Sequence, residues 1–251
     1  MELFNLSGQS AIVTGAARGL GQALAIALAE AGADVTLVTN SSPADETKQA
    51  IERIGRRAIV VKADVSDQAS LPGIVDNAKA AFGRIDILVN NAGIIRRAPA
   101  AEHAFADWQA VLATNLDSVF TLCQLAGAEM LAQGSGKIIN IASMLSFQGG
   151  VNVPGYTASK HAVAGLTKAL ANEWASRGVQ VNAIAPGYMA TDNTAALRAD
   201  EARSRQILER IPAGRWGTND DLKGAITFLA SRASDYVNGH VLCVDGGWMV
   251  R

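Results

Sequence analysis

Short apolar, β-branched runs alternate with longer stretches of helical period from the first residues nearly to the last. A strand buried on both faces reads as a continuous apolar run, because neither face meets water. Runs of that kind are Ser10 to Thr14, Asp34 to Val38, Ala58 to Lys62, Ile85 to Val89, Lys137 to Ile141, Gln180 to Ile184 and His240 to Val244. Between them the period lengthens: Leu20, Ala23, Leu24, Ala27, Leu28 and Ala31 trace one apolar stripe on a helix that Gly32 stops. The repeated alternation predicts an α/β fold, a seven-stranded parallel sheet wrapped by helices. Without a Pro/Gly/Ser-rich linker, compositional break or internal repeat, residues 1–251 read as one domain. The polar, Ala-rich stretch Ala190 to Arg210 interrupts the alternation and is expected to form a mobile lid.

The strand ends carry the chemistry. Thr14-Gly15-Ala16-Ala17-Arg18-Gly19-Leu20-Gly21 follows the first strand and opens onto the amphipathic helix. Glycines there let the backbone turn tightly and let a pyrophosphate approach the helix N-terminus, where unpaired N–H groups favour negative charge. Three further loops fall at matching places. Asp64-Val65 follows the third strand, where a carboxylate could accept from an adenine amino group. Asn90-Asn91-Ala92-Gly93 follows the fourth, and Pro186-Gly187, with Met189 and Thr191 beyond, follows the sixth. Each alone could be only a turn, since Gly, Asn and Asp favour turns. Together they mark one edge of the sheet as a dinucleotide site.

Tyr156 and Lys160 stand four residues apart in a stretch, Tyr156 to Arg177, that predicts a long helix. That spacing puts both on one face. For a phenol to act as general acid and base near neutrality its pKa must fall from about 10 to about 7, a difference of about 4 kcal/mol. A neighbouring ammonium, helped by a cationic nicotinamide ring, has the right sign. Ser143 follows the fifth strand, where its hydroxyl could bind a substrate carbonyl oxygen as charge grows on it. Asn115, in a helical segment, could hold a water linking Lys160 to solvent, or could simply mark a kink or cap.

With these residues in place, the chain resembles the short-chain dehydrogenase/reductase family from end to end, in the order and spacing of Thr14 to Gly21, Asn90 to Gly93, Ser143, Tyr156 with Lys160, and Pro186-Gly187. The resemblance implies one doubly wound, Rossmann-like domain with helices on both faces, NAD(P)(H) as cofactor, a reversible ketone/alcohol reaction and a homotetramer. Gly93 to Arg97, Ile141 to Gly150 and Asn182 to Asp192 further resemble the bacterial dehydrogenases that act on 2-dehydro-3-deoxy-D-gluconate in uronate breakdown from pectin or alginate. Ile211 to Gly217 is similar to the family at large. A chemical reason supports the subgroup: Arg96 and Arg97 lead from the cofactor loop toward the mouth of the site, where a guanidinium could clamp a sugar-acid carboxylate. Gln148 and Arg198 are further candidates for substrate contact. The second strand ends Val38-Thr39-Asn40-Ser41-Ser42, and Asn40 and Ser41 take the place of the acid that would bind a ribose 2′-OH. That absence, with Arg18 available to a 2′-phosphate, favours NADP(H), while the resembled subgroup often uses NAD and NAD(H) stays open.

Composition narrows the classes. Hydrophobic residues make up 49% and charged ones 18%, which is globular and not disordered. Twenty-two basic against twenty-three acidic residues, with no block of either sign, recruit neither nucleic acid nor an anionic membrane. The start MELFNLSGQS has no signal-peptide pattern, so a cytoplasmic protein is expected. Cys123 and Cys243 sit in apolar surroundings and read as buried reduced thiols, and His103, His161 and His240 have no metal-ligand spacing, so no metal is expected. A 3-oxoacyl-carrier-protein reductase or a gluconate 5-dehydrogenase would carry nearly the same elements. A catalytically silent NAD(P)-binding redox sensor is the reading from another class.

Overall fold

The computed structural model describes residues 2–251, the side chain of Asn193 aside. The strands are β1 (Ser10–Thr14), β2 (Asp34–Thr39), β3 (Ala58–Lys62), β4 (Ile87–Asn90), β5 (Gly136–Ile141), β6 (Val179–Pro186) and β7 (Val241–Val244). They form one seven-stranded sheet in the order β3-β2-β1-β4-β5-β6-β7, with every pairing parallel. The chain winds outward from β1 to one edge and then from β4 to the other, which makes the β1/β4 boundary the switch point where doubly wound sheets bind ligands.

Helices cover both faces. On one, α1 (Gly19–Glu30) and α9 (Lys223–Ala230) pack Leu24, Leu28, Ile226 and Leu229 against Val13, Val35, Ile87 and Ile139 of the sheet. On the other, α3 (Leu71–Phe82) contributes Leu71 and Ile74, joined by Leu122, Ala126, Val163, Leu170 and Trp174 over Ile12, Leu88, Ile138 and Val181. Adjacent residues of a strand point to opposite faces, so Ile12 and Val13 belong to different clusters. That two-sided burial is why the strands read as unbroken apolar runs. The remaining helices are α2 (Asp45–Arg53), α4 (Phe105–Leu112), α5 (Ser118–Gln133), α6 (Pro154–Trp174), α7 (Ala195–Ala199) and α8 (Glu201–Arg210).

Three local features go beyond expectation or differ from it. The sixth strand runs two residues past Ile184, through Pro186, because Ala183 and Gly187 donate toward β7 while the intervening even-numbered residues face β5. Proline's missing N–H therefore falls where β5 has already ended. The helical segment around Asn115, where a kink or cap is one reading, contains a π-turn, Ala113–Asp117, between α4 and α5. And Cys123 is fully buried, its thiol pushed up to about 12 by burial, whereas Cys243 on edge strand β7 is only half-buried, because no further strand covers β7. Residues 190–210, outlined in the sequence as a lid, comprise a 3-10 turn (Asp192–Thr194) followed by α7 and α8. Among the described residues no helix is long and apolar enough to cross a membrane.

Candidate active site

At the switch point the glycine turn and the β4 loop are tied to each other. Asn91 and Ala92 both donate their backbone N–H to Thr14 Oγ1 at 2.9 Å, and Asn91 Nδ2 donates to Thr14 O at 2.9 Å. Thr14 opens the glycine motif, yet its work as the acceptor for the next loop is visible only once β4 lies beside β1. Gly15 and Gly19 adopt φ of 66° and 59°, which side chains rarely tolerate. A Cβ on Gly21 would stand 2.1 Å from Gly15 O and 2.5 Å from Asn91 Nδ2, so α1 can start this close to the turn only without one. Gly21→Ala should therefore destabilise the fold by about 1–3 kcal/mol through overpacking, read as a fall of several degrees in Tm in a thermal melt; an unchanged melting curve would refute the packing argument.

The residues fit a dinucleotide. The first turn of α1 has no side-chain cap, and nothing lies within 4 Å of where a Gly19 Cβ would stand, which leaves space beside the helix N-terminus suited to a pyrophosphate. Leu20, partly buried, packs against the core. Arg18 reaches the lid, with Nη1 3.6 Å from Asp192 Oδ2, both well exposed. Asn40 and Ser41 are exposed beyond β2. Asp64 accepts from Ser66 at 2.9 Å through its backbone N–H and 2.7 Å through its hydroxyl, and these bonds, with the Asn40 amide nearby, hold its carboxyl below the usual range. The second-strand and third-strand loops thus meet through Asn40 and Asp64, while Val65 is buried in the core. After β6, Gly187 lies against Asp245, Met189 is buried with its sulfur over Gly217, and Thr191 starts the 3-10 turn. Met189 therefore has a packing role, with only its backbone near the loop surface.

Ser143 stands directly beyond β5. Its Oγ accepts from Leu145 N at 3.1 Å, and its hydroxyl lies beside the Tyr156 phenol. Ser146, absent from the sequence reading, fixes this loop: its hydroxyl accepts from Ser143 N at 3.3 Å and donates to Lys160 O at 2.7 Å. On α6, Lys160 Nζ sits 5.6 Å from the centre of the Tyr156 ring and donates to Ile141 O at 2.6 Å. Burial lowers the Lys160 ammonium to about 8, so it remains mostly charged at neutrality. Burial pushes the Tyr156 phenol up, and the opposing influences are the neighbouring Ser143 hydroxyl and the Arg97 cation. Lys160, expected to lower the phenol, stands beside its ring with the ammonium directed at the Ile141 carbonyl.

Asn115 is wholly buried in the π-turn. Its Oδ1 accepts from Ile94 N at 2.8 Å, and its Nδ2 donates to Ile94 O at 3.0 Å and to Ser159 Oγ at 3.3 Å. The amide is thus occupied in fastening the loop after Gly93 to α6, between Tyr156 and Lys160. The two arginines beyond that loop part company. Arg96 turns to Asp107, 3.3 Å away, while Arg97 is electrostatically coupled to the Tyr156 phenol. Of the other substrate candidates, Arg198 donates to Thr191 O at 3.2 Å within the lid, and Gln148 Oε1 accepts from the indole N–H of Trp248 at 3.0 Å.

A family model described as enoyl-(acyl carrier protein) reductase matches residues 15–249. A 2-dehydro-3-deoxy-D-gluconate 5-dehydrogenase of Bacillus subtilis (strain 168) is 57% identical over 252 residues, covering 100% of this chain and 98% of that protein. A structure of a proposed 2-deoxy-D-gluconate 3-dehydrogenase from Agrobacterium tumefaciens with bound NADP is 54% identical, with a TM-score of 0.94 and all of both chains covered. A gluconate 5-dehydrogenase of Burkholderia cenocepacia J2315, in complex with NADP and tartrate, is 43% identical with a TM-score of 0.94, covering 100% of this chain and 98% of the other. A full-length match at these identities, on a sheet with this strand order and this Ser143, Tyr156 and Lys160 arrangement, makes the chain a member of the short-chain dehydrogenase/reductase family.

Proposed function

We propose that the chain is an NAD(P)-dependent dehydrogenase that interconverts a hydroxyl and a keto group on a deoxy sugar acid of the 2-keto-3-deoxygluconate type. The observation that supports this reading is the Tyr156 phenol, beside Ser143, with Lys160 Nζ 5.6 Å from its ring centre and the Arg97 charge favouring its phenolate, on the sheet edge that bears the glycine turn. Bound nicotinamide supplies the hydride acceptor or donor. Ser143 hydrogen-bonds the reacting carbonyl oxygen, and Tyr156 gives that oxygen its proton in reduction and takes it back in oxidation. Lys160 stabilises the phenolate that results and binds the cofactor ribose. Asn115 holds the proton path open by keeping the Ile94 loop and Ser159 in place. Arg97 binds the substrate carboxylate, and residues 190–210 close over it as a lid. The relatives' names support the substrate class.

The cofactor is NADP(H) by preference, since β2 ends without an acid, Arg18 is exposed in the glycine turn, and related structures hold NADP. Exposed Phe105 and Phe120 on α4 and α5 support a homotetramer, and the substrate class supports a cytoplasmic place in uronate breakdown from alginate or pectin. The test is initial rates with NADPH and NADH on a panel of keto-deoxy uronates, 5-keto-D-gluconate and acetoacetyl-CoA. Turnover fastest on the deoxy keto sugar acids with NADPH is expected. Preference for the thioester would replace this reading with an acyl-carrier reductase, the activity that the family description names, and binding without turnover of any would indicate a sensor.

A further inference from the structure

The chain's last turn reaches into the candidate site from behind. Trp248, three residues from the C-terminus and 6% exposed, packs with Met144, Ile207 and Ile211. The Tyr188 ring meets its indole edge-on at 4.6 Å, and the Arg210 guanidinium lies 4.0 Å from the indole ring centre. The turn that delivers it is fixed: Asp245 accepts from Gly247 N and Met249 N at 2.9 Å each, and Gly247, at φ 89°, lies close over Pro212. Trp248 therefore joins three pieces with different duties, the loop after Ser143, the loop after β6 and the base of α8. Its one polar atom is spent on Gln148.

That bond decides an orientation. An indole N–H can only donate, so the end of the Gln148 amide facing it must be the oxygen. The amide NH2 is thereby turned away from the C-terminal turn, and among the described residues no protein acceptor takes it. Gln148 lies five residues beyond Ser143 on the same loop, and its backbone N–H donates to Met144 O at 3.1 Å, which ties its position to that of the catalytic hydroxyl.

We infer that Trp248 is a positioning residue for substrate specificity: it locks Gln148 as a pure donor toward an oxygen of the sugar acid, a carboxylate or hydroxyl, that Arg97 alone does not bind. This inference rests on the sugar-acid reading above. It predicts that Trp248→Phe, which keeps the ring and loses the N–H, raises KM for the keto sugar acid about three- to tenfold, the effect of one neutral hydrogen bond. The value of kcat and the KM for NADPH should stay within about twofold, since neither depends on that bond. Gln148→Ala should match it, and the double variant should be no worse than either single. Gln148→Glu, which still accepts from the indole but sets a carboxylate against an anionic substrate, should raise KM further. Thermal melts of each variant check that the fold is intact, and Gln148→Ala, at a half-exposed loop position, carries the test if Trp248→Phe loosens the C-terminal turn. An unchanged KM in Gln148→Ala, or single effects that multiply in the double variant, would overturn the inference while the wild-type activity stood. Absence of wild-type turnover on any keto sugar acid would overturn the functional reading and this inference with it.

Discussion

Tyr156→Phe should leave the chain folded and able to bind nicotinamide cofactor with an affinity within a few-fold of wild type, and should lower kcat in both directions by about 10²–10⁴-fold, the range that a positioned acid or base contributes. The substitution removes one oxygen and keeps the ring in its partly buried place on α6. What goes is the hydroxyl that lies beside Ser143, close to Lys160 and within reach of the Arg97 charge. Lys160, whose ammonium is directed at Ile141 O, cannot take over the proton transfer without leaving that partner. Steady-state rates with a parallel fluorescence titration of NADPH separate chemistry from binding. Retention of more than a tenth of wild-type kcat would show that another group moves the proton.

Arg97→Ala should raise KM for the sugar acid about 10- to 100-fold, as loss of a hydrogen bond to a charged group does. Arg96→Ala should change it by no more than about threefold, because its half-exposed pair with Asp107 is of the kind that contributes about 1 kcal/mol or less. The two variants differ in pH behaviour as well. A cation near the phenol favours the phenolate, so removing Arg97 adds to the upward push that burial already exerts on Tyr156. Oxidation of the hydroxyl substrate requires the phenolate, and its rising limb should move to higher pH. Reduction requires the protonated phenol, and its falling limb should move the same way. Arg96→Ala should move neither, and equal effects of the two substitutions would refute the assignment of the clamp to Arg97.

The fold was legible because the strands are buried on both faces: Ala11 to Val13 and Ile87 to Val89 admit no polar residue on either side, and the run length marks each strand to within a few residues. Glycine spacing was equally informative, since Gly21 meets Gly15 O wherever a helix starts this close to its turn. The spacing of Tyr156 and Lys160 fixed a shared helix face but not the direction of the ammonium, which depends on where Ile141 ends β5. The roles of Ser146 and Trp248 could not be read at all, because each bonds to residues 14 and 100 positions away and neither belongs to a spacing pattern. Arg96 and Arg97 are indistinguishable as letters, and only the placement of Asp107 and Tyr156 on different sides of the loop separates them.

The wide turn at Ala113–Asp117 has a consequence for the helix that follows it. Each α-helical residue advances the chain by about 100°, so deleting any one of these five would carry every later side chain of α5 one place around the axis. Phe120 and Gln124, now facing water, would land where Val119 and Cys123 meet the sheet, and Ala128 would take the place of Gly127 beneath the Trp174 ring. The same helix would thus remain a helix and cease to be a wall of this domain, so the length of this short segment is as constrained as the identity of Asn115 within it.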